Sequence, residues 1–449
     1  MRILFLTNGY PPLHTAGTEI STEAVATSLA RSGHAVFVGC VGRWDEGDHP
    51  LNGLDEDEQD GVAVTRFDLN WRRGGDPNRA LFDNPATARA VGALVDRVAP
   101  DVVHVTSCYT LSASVMREVK ARGLPLVVTL TDFWFLCPRV MLLRSNGTPC
   151  TGRTTAADCL DCMLSDSAAY VKVRRMAPAG LLAAATGVVA RQPRLSRSHG
   201  FLGRAQNFAV RKPLLLDLLR SADAILAPTR SLAARHTELG LEREIRLWRY
   251  GHELGWAAAV ERRPPDGRLV FGFVGRVAPE KGVHVLLDAA SRLDPGAGGA
   301  AVEVWGDAAQ EPGYLARCRA LPTTGLAVDF RGRFTRDRLA EVYGHIDVLV
   351  VPSTWNENDP LVVHEAFAAG VPVIASDVGG LREVVTAESD GLLFRAGDAG
   401  DLAAAMARFV TDPTLVSRLR AGIGLVRTSS EAAADLAALY AGLVEGLAG

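Results

Sequence analysis

The sequence predicts an α/β chain of two doubly wound, Rossmann-like parallel-sheet lobes, on three observations. Apolar runs of strand length alternate with stretches of helical period from the first residues onward. A charged, proline-rich break, ERRPPDGR at 261–268, is followed by a second cycle of the same alternation. The 449 residues also exceed what one hydrophobic core usually organises. In the first cycle, RILFLTN (2–8), the helical spacing of 19–33 and HAVFVGCV (34–41) form a βαβ unit. VAVTRF (62–67), DVVHVTS (101–107), LVVTLTD (126–132), AILAPT (224–229) and IRLWRYG (245–251) continue it as buried strands, with helices such as 85–99 and 111–122 between several of them. In the second cycle LVFGFVGR (269–276), VEVWGD (302–307), VDFRGRF (328–334), VLVVPS (348–353) and VPVIAS (371–376) take the same part. The lobes are therefore expected at 1–255 and 268–425, with the alanine- and leucine-rich 430–449 packing back on the first. Ligands of such sheets bind at the carboxyl ends of the strands, so a cleft between two facing lobes is expected.

The stretch 351–376 carries the chemistry. It reads strand, loop, helix, strand, and sets Glu357 and Glu365 eight residues apart around a helix start. Asp359 fits the N-cap and Pro360 the first helical position, so free N–H groups and the positive helix end face the loop and favour an anion. The two carboxylates suit hydroxyl donors of one polyol ligand. Arg276 and Lys281 stand at another strand end, and lysine otherwise occurs only at 120, 172 and 212. A pyrophosphate asks for that combination of fork donors and point charge. NGYPPLHTAGTEI (8–20) runs from the first strand into the first helix, where Gly17 lets backbone approach a phosphate. Neither GxGxxG nor GxxxxGK[ST] occurs, which argues against an NAD enzyme and a P-loop ATPase. Asp55-Glu56-Asp57 matches a metal-binding D-x-D pattern but reads as a solvated acidic loop before a strand.

The net charge of −3 carries no global nucleic-acid footprint. No apolar run approaches the roughly 20 residues of a membrane span, and a cytoplasmic location is expected. From Tyr170 to Lys212 every charge is positive, so 170–212 is either a solvated excursion or a peripheral contact with an anionic membrane at its inner face. Cys137, Cys150, Cys159 and Cys162 share one segment and end in CxxC. The first reading of these thiols is a structural zinc site, with an iron–sulfur cluster, disulfides or free thiols as alternatives.

GRVAPEKG, PSTWNENDPLVVHEAFAAGVPVIAS and DGLLF (390–394) together resemble the nucleotide-sugar lobe of the retaining family-4 glycosyltransferases of GT-B fold. The resemblance spans most of the chain: PPLHTAGTE is similar to the family's first glycine loop, DVVHVTS and TLTDFW to its acceptor-side strands, and ADAILAPT to its late strand. It implies transfer of a sugar from a nucleoside diphosphate sugar, with UDP or GDP as the base carrier, to a hydroxyl acceptor, without catalytic Mg2+ or Mn2+. It assigns Arg276 and Lys281 to the diphosphate and Glu365 to the ribose. Glu357 and the backbone of Asn358, Asp359, Pro360 and Leu361 take the donor sugar, and the backbone at Arg333 and Phe334 the base. Two positions depart from the family. Thr131 stands where a histidine is common, leaving Thr131 or Asp132 to serve on the acceptor and sugar side, and Ala16-Gly17 replaces a Gly-Gly pair. A nucleotide-sugar 2-epimerase and a non-catalytic nucleotide-sugar binder are the competing readings.

Overall fold

The structure is a computed structural model describing residues 1–44, 46–73, 76–176, 201–263, 267–294, 299–307, 309, 311–321 and 325–448. It forms two compact units, Met1–Gly251 with Ser429–Gly449, and His252–Thr428.

The first unit holds β1 (Arg2–Thr7), β2 (Ala35–Trp44), β3 (Leu51–Gln59), β4 (Val62–Leu69), β5 (Val102–Val105), β6 (Leu126–Thr129), β7 (Ala224–Ala227) and β8 (Arg246–Leu247). They lie in the order β3-β4-β2-β1-β5-β6-β7-β8. β5, β6 and β7 are buried at every position, as expected where helices cover both faces of a parallel sheet, and this is why they read as unbroken apolar runs. The reading of Asp55-Glu56-Asp57 as loop is corrected: these residues lie in β3, an exposed edge strand antiparallel to β4. Charge holds it from two sides, with Asp57 3.2 Å from the buried Arg66 guanidinium of β4 and Glu56 paired with Arg97 of the helix Pro85–Val98.

The helix Ser429–Ala448 belongs to this unit. Its Ala432, Leu436 and Tyr440 are fully buried in one cluster with Val25, Leu29 and Val36. A polar chain crosses that cluster. The Tyr440 hydroxyl is 2.6 Å from His104 Nδ1, and His104 Nε2 is 2.7 Å from the Thr129 hydroxyl. Burial pushes His104 down to about 3, which keeps the imidazole neutral.

Residues 177–200 of the basic stretch lie outside the described residues. Its flanks form the helices Ala168–Met176, whose cations are exposed, and Phe201–Arg220, where one charge turns inward. Arg211 is buried, donates to the Trp134 carbonyl at 2.6 Å and lies 5.0 Å over the Trp134 ring, and burial lowers it to about 10. Arg174 pairs with Asp161 at 3.1 Å. Arg211 is therefore a core residue, not part of a basic face. Among the described residues no helix is long and apolar enough to cross a membrane.

The second unit holds β9 (Leu269–Val274), β10 (Ala300–Trp305), β11 (Ala327–Gly332), β12 (Val348–Val351), β13 (Val373–Ser376) and β14 (Gly391–Phe394), all parallel, in the order β11-β10-β9-β12-β13-β14. The winding reverses between β9 and β12, which leaves a crevice at their carboxyl ends. Apolar clusters cover both faces, one around Leu286, Met406 and Phe409, the other around Val342, Tyr343, Val363 and Ala366. Part of the charged break is built into this unit, since Arg262 donates to the carbonyls of Tyr343 and Ile346, each at 2.9 Å.

Candidate functional site

The loops after β9, β12 and β13 leave adjacent strands and are knitted together. After β9 the chain makes a 3-10 turn at Pro279–Lys281, and Gly282, at φ +72, starts the helix Val283–Ser291. A Cβ on Gly282 would stand 1.8 Å from the Pro352 carbonyl oxygen, so the turn presses directly on the end of β12. The Thr354 N–H donates to the Glu280 carbonyl at 2.9 Å. Arg276 pairs with the Glu280 carboxylate. Lys281 Nζ lies 2.7 Å from Glu357 Oε1, which also accepts the Ser353 hydroxyl at 2.6 Å. From beneath, the Gly380 N–H donates to the Glu357 carbonyl at 2.7 Å, and a Cβ on Gly380 would stand 1.7 Å from the Asn358 carbonyl oxygen. A close backbone approach leaves no local pattern, and the Gly379-Gly380 pair after an apolar run is the one trace of it in the sequence.

The expected cap is corrected. The helix Leu361–Ala368 opens at Leu361, Pro360 occupies the cap position with extended backbone (φ −76, ψ 113), and no side chain caps it. The Asp359 carboxylate accepts instead from His364 Nε2 at 2.6 Å. Glu365 is buried and takes Arg336 Nη1 at 3.1 Å on one oxygen and the Tyr343 hydroxyl at 3.0 Å on the other. Each carboxylate oxygen keeps a further lone pair for a ligand hydroxyl. Arg336 and Tyr343 were not foreseen, because they come from a different helix and turn. Arg333 is largely exposed, 3.9 Å from Asp307, and Phe334 meets Trp305 edge-on at 6.3 Å between ring centroids. Asp307 also lines a surface cavity of about 410 Å3 with Pro312, Leu315 and Arg319.

In the first unit the loops after β1, β5 and β6 carry the other residues singled out. Buried Arg66 ties down the loop after β1, donating to the Tyr10 carbonyl at 3.1 Å and the Pro11 carbonyl at 2.7 Å. Gly17 is the first residue of the helix Gly17–Arg31, whose N-cap Ala16 gives no side-chain cap. Glu19, in the first turn, accepts the Asn8 amide at 2.6 Å on Oε1, while its buried Oε2 meets no donor. As an acid in the first turn of a helix, Glu19 carries a signal legible in the sequence alone. Thr131 and Asp132 follow β6 and are half-buried. Burial pushes the Asp132 carboxyl up to about 6, against the Trp134 N–H at 2.7 Å and the Arg211 charge, and Glu19 adds to the rise.

The four-thiolate metal site is not formed by Cys137, Cys150, Cys159 and Cys162. Among the described residues no group of three or more His, Cys, Asp or Glu side chains is placed to hold a metal, and all four thiols are free. Cys137 and Cys150 pack against the first unit's core, Cys150 Sγ meets the Gly152 N–H at 3.4 Å, and Cys159 Sγ meets the Thr154 hydroxyl at 3.2 Å. Burial raises the Cys137 and Cys159 thiols, which favours their protonated form.

Fold and charge placement define a class: doubly wound α/β chains with cations and an uncapped helix start at the switch point of a parallel sheet, an arrangement suited to an anionic ligand. Comparison with known proteins gives the family. Residues 16–251 match the glycosyl transferase 4-like domain and residues 268–412 match the glycosyl transferases group 1 model. The chain belongs to this glycosyltransferase family. A D-inositol 3-phosphate glycosyltransferase of Stackebrandtia nassauensis is 39% identical over 35% of this chain and 37% of its own length. A GDP-mannose-dependent alpha-mannosyltransferase of Mycobacterium tuberculosis is 35% identical over 40% of this chain and 46% of its own. The chain thus spans less than half the length of either relative. Among solved structures, a sucrose-phosphate synthase from Thermosynechococcus elongatus shares the fold at TM-score 0.65 and 19% identity, covering 99% of this chain and 100% of the other. Anabaena HepE, solved with UDP and glucose, does so at TM-score 0.63 and 17% identity over 98% and 99%.

Proposed function

We propose that this protein is a retaining glycosyltransferase that moves a sugar from a nucleoside diphosphate sugar, UDP- or GDP-linked, to an acceptor hydroxyl. One observation carries the reading: the loop after β9 brings Arg276, paired with Glu280, and Lys281, on the turn Pro279–Lys281, against the loop that precedes an uncapped helix start, to which it is bonded through Glu280 and Lys281. Cleaving a sugar–phosphate bond builds negative charge on the leaving diphosphate. The guanidinium, the ammonium and the N–H groups at Leu361 supply fixed positive potential to meet it, each donor being worth about 3–4 kcal/mol in the transition state. Glu365, already oriented by Arg336 and Tyr343, accepts the ribose hydroxyls, and Glu357 accepts a hydroxyl of the donor sugar. The backbone at Arg333 and Phe334 holds the base. The acceptor hydroxyl attacks on the face the diphosphate leaves, and its proton passes to the departing phosphate, so configuration is retained. GDP-mannose in the name of one relative and UDP in the solved complex of another support these two donors.

Mixing the protein with UDP-, GDP- and ADP-sugars and measuring nucleoside diphosphate release, with and without acceptors, tests the reading. Release that rises with acceptor is the expected result, and it persists in EDTA. Epimerisation without release marks an epimerase, and binding without turnover a sensor.

On the acceptor side, Thr131 and Asp132 serve the incoming acceptor, and the Glu19 oxygen that meets no donor takes a second acceptor hydroxyl. Since Asp132 titrates near 6, its carboxylate accepts a hydrogen bond above that pH and loses the role as the proton returns below it. Transfer is expected to fall as pH drops through about 6, and Asp132→Asn to remove that limb of the pH profile while lowering the plateau. An unchanged profile in Asp132→Asn would show that another group titrates.

A further inference from the structure

The chain carries its own controls for what an Asx-Pro pair does before a helix. Asp76-Pro77 accepts the N–H of Asn78 at 2.9 Å, Asn84-Pro85 that of Ala86 at 3.0 Å, and Asp412-Pro413 that of Thr414 at 2.9 Å. At Asp76 and Asn84 a second N–H is also taken, that of Arg79 at 3.4 Å and that of Thr87 at 3.3 Å. In each case the side-chain oxygen satisfies the amide two residues on. Asp359-Pro360 has the same chemistry and does otherwise. Its carboxylate leaves the amides of the helix Leu361–Ala368 uncapped and bonds to His364 Nε2 at 2.6 Å, five residues on.

We propose that His364 is a positioning residue that holds the Asp359 carboxylate off the helix start and so keeps the first amides open for the ligand's phosphates. This rests on the donor-site reading above. A capping carboxylate would oppose the ligand twice, by occupying the N–H groups and by adding negative charge beside them. His364 does not swing freely. Its ring stacks on His252 at 4.2 Å between centroids and 22° between planes, while the His252 N–H is anchored to the Arg427 carbonyl at 3.0 Å. Burial, aided by the neighbouring His364 and Arg336, pushes His252 down, so the stacking partner stays neutral and adds no charge of its own. Asp359 is itself almost fully covered, so its carboxylate has few places to go other than His364 or the amides.

Calorimetric titration of the full chain with UDP and GDP tests this role. His364→Phe keeps an aromatic ring against His252 but has no N–H for Asp359, and is expected to bind about tenfold more weakly at an unchanged or raised unfolding midpoint. The double variant His364→Phe, Asp359→Ala cannot cap, and its affinity is expected to return to within about threefold of wild type. His364→Gln keeps a donor of similar reach and is expected to bind like wild type. If His364→Phe fails to fold, His364→Leu with the same second substitution replaces it. Unchanged affinity in the single variant, or a double variant as weak as the single, overturns the proposal. Absence of UDP and GDP binding by the wild type overturns the donor-site reading itself, and this role with it.

Discussion

Lys281→Ala is expected to lower donor turnover by about a hundred- to a thousandfold and to abolish measurable nucleoside diphosphate binding. In the proposed donor site the ammonium is the point charge, and no other lysine lies in the second unit. Its three protons allow one bond to Glu357, at 2.7 Å, while two remain for phosphate oxygens. The same substitution strips a buried carboxylate of its counter-charge. Glu357 keeps the Ser353 hydroxyl, so the loss of stability is expected to stay within roughly 1–3 kcal/mol. Adding Glu357→Gln to Lys281→Ala removes the orphaned charge and restores that stability but not turnover. Urea unfolding read beside nucleoside diphosphate release separates the two effects. Near-native release by Lys281→Ala would show that the phosphates are held elsewhere.

Tyr440→Ala is expected to destabilise the first unit by about 3–5 kcal/mol, the cost of deleting a fully buried aromatic ring. Tyr440 shows no exposed surface, and it packs with Phe5, Val38 and Trp248 while bonding His104 across the cluster. The alanine variant also leaves the buried His104 Nδ1 without a partner. Tyr440→Phe isolates that part, and about 1–3 kcal/mol is expected from it alone. Denaturant midpoints of the two variants measure ring and hydroxyl separately. Equal losses would mean that the ring packs poorly and that the hydrogen bond dominates.

Much of the fold was legible. β5, β6, β7 and β12 are buried on both faces, and burial leaves an unbroken apolar run that needs no tertiary knowledge to read. β3 escaped for the opposite reason. LNGLDEDEQ buries almost nothing, and its pairing depends on Arg66 and Arg97, which lie outside its own sequence. Arg211 was counted with a solvated basic stretch because a run of like charges says nothing about which side chain folds inward under Trp134. The thiols misled in a related way. The spacing of Cys137, Cys150, Cys159 and Cys162 limits how far apart the sulfurs can lie but does not aim them at one point.

The sequence alone determined the two cycles of strand and helix, and it placed Arg276, Lys281, Glu357 and Glu365 beside strand ends and a helix start. Those are consequences of periodicity and of backbone rules that act within a few residues. The tertiary structure decided which groups meet: Lys281 with Glu357, Glu365 with Arg336 and Tyr343, and Asp359 with His364 rather than with the helix it precedes. The first two pairings depend on the order in which strands lie side by side, which brings residues up to 76 positions apart within hydrogen-bond reach. The third is a competition between an amide and an imidazole for one carboxylate. Its outcome depends on where His252 fixes the ring, and no pattern along the chain records that.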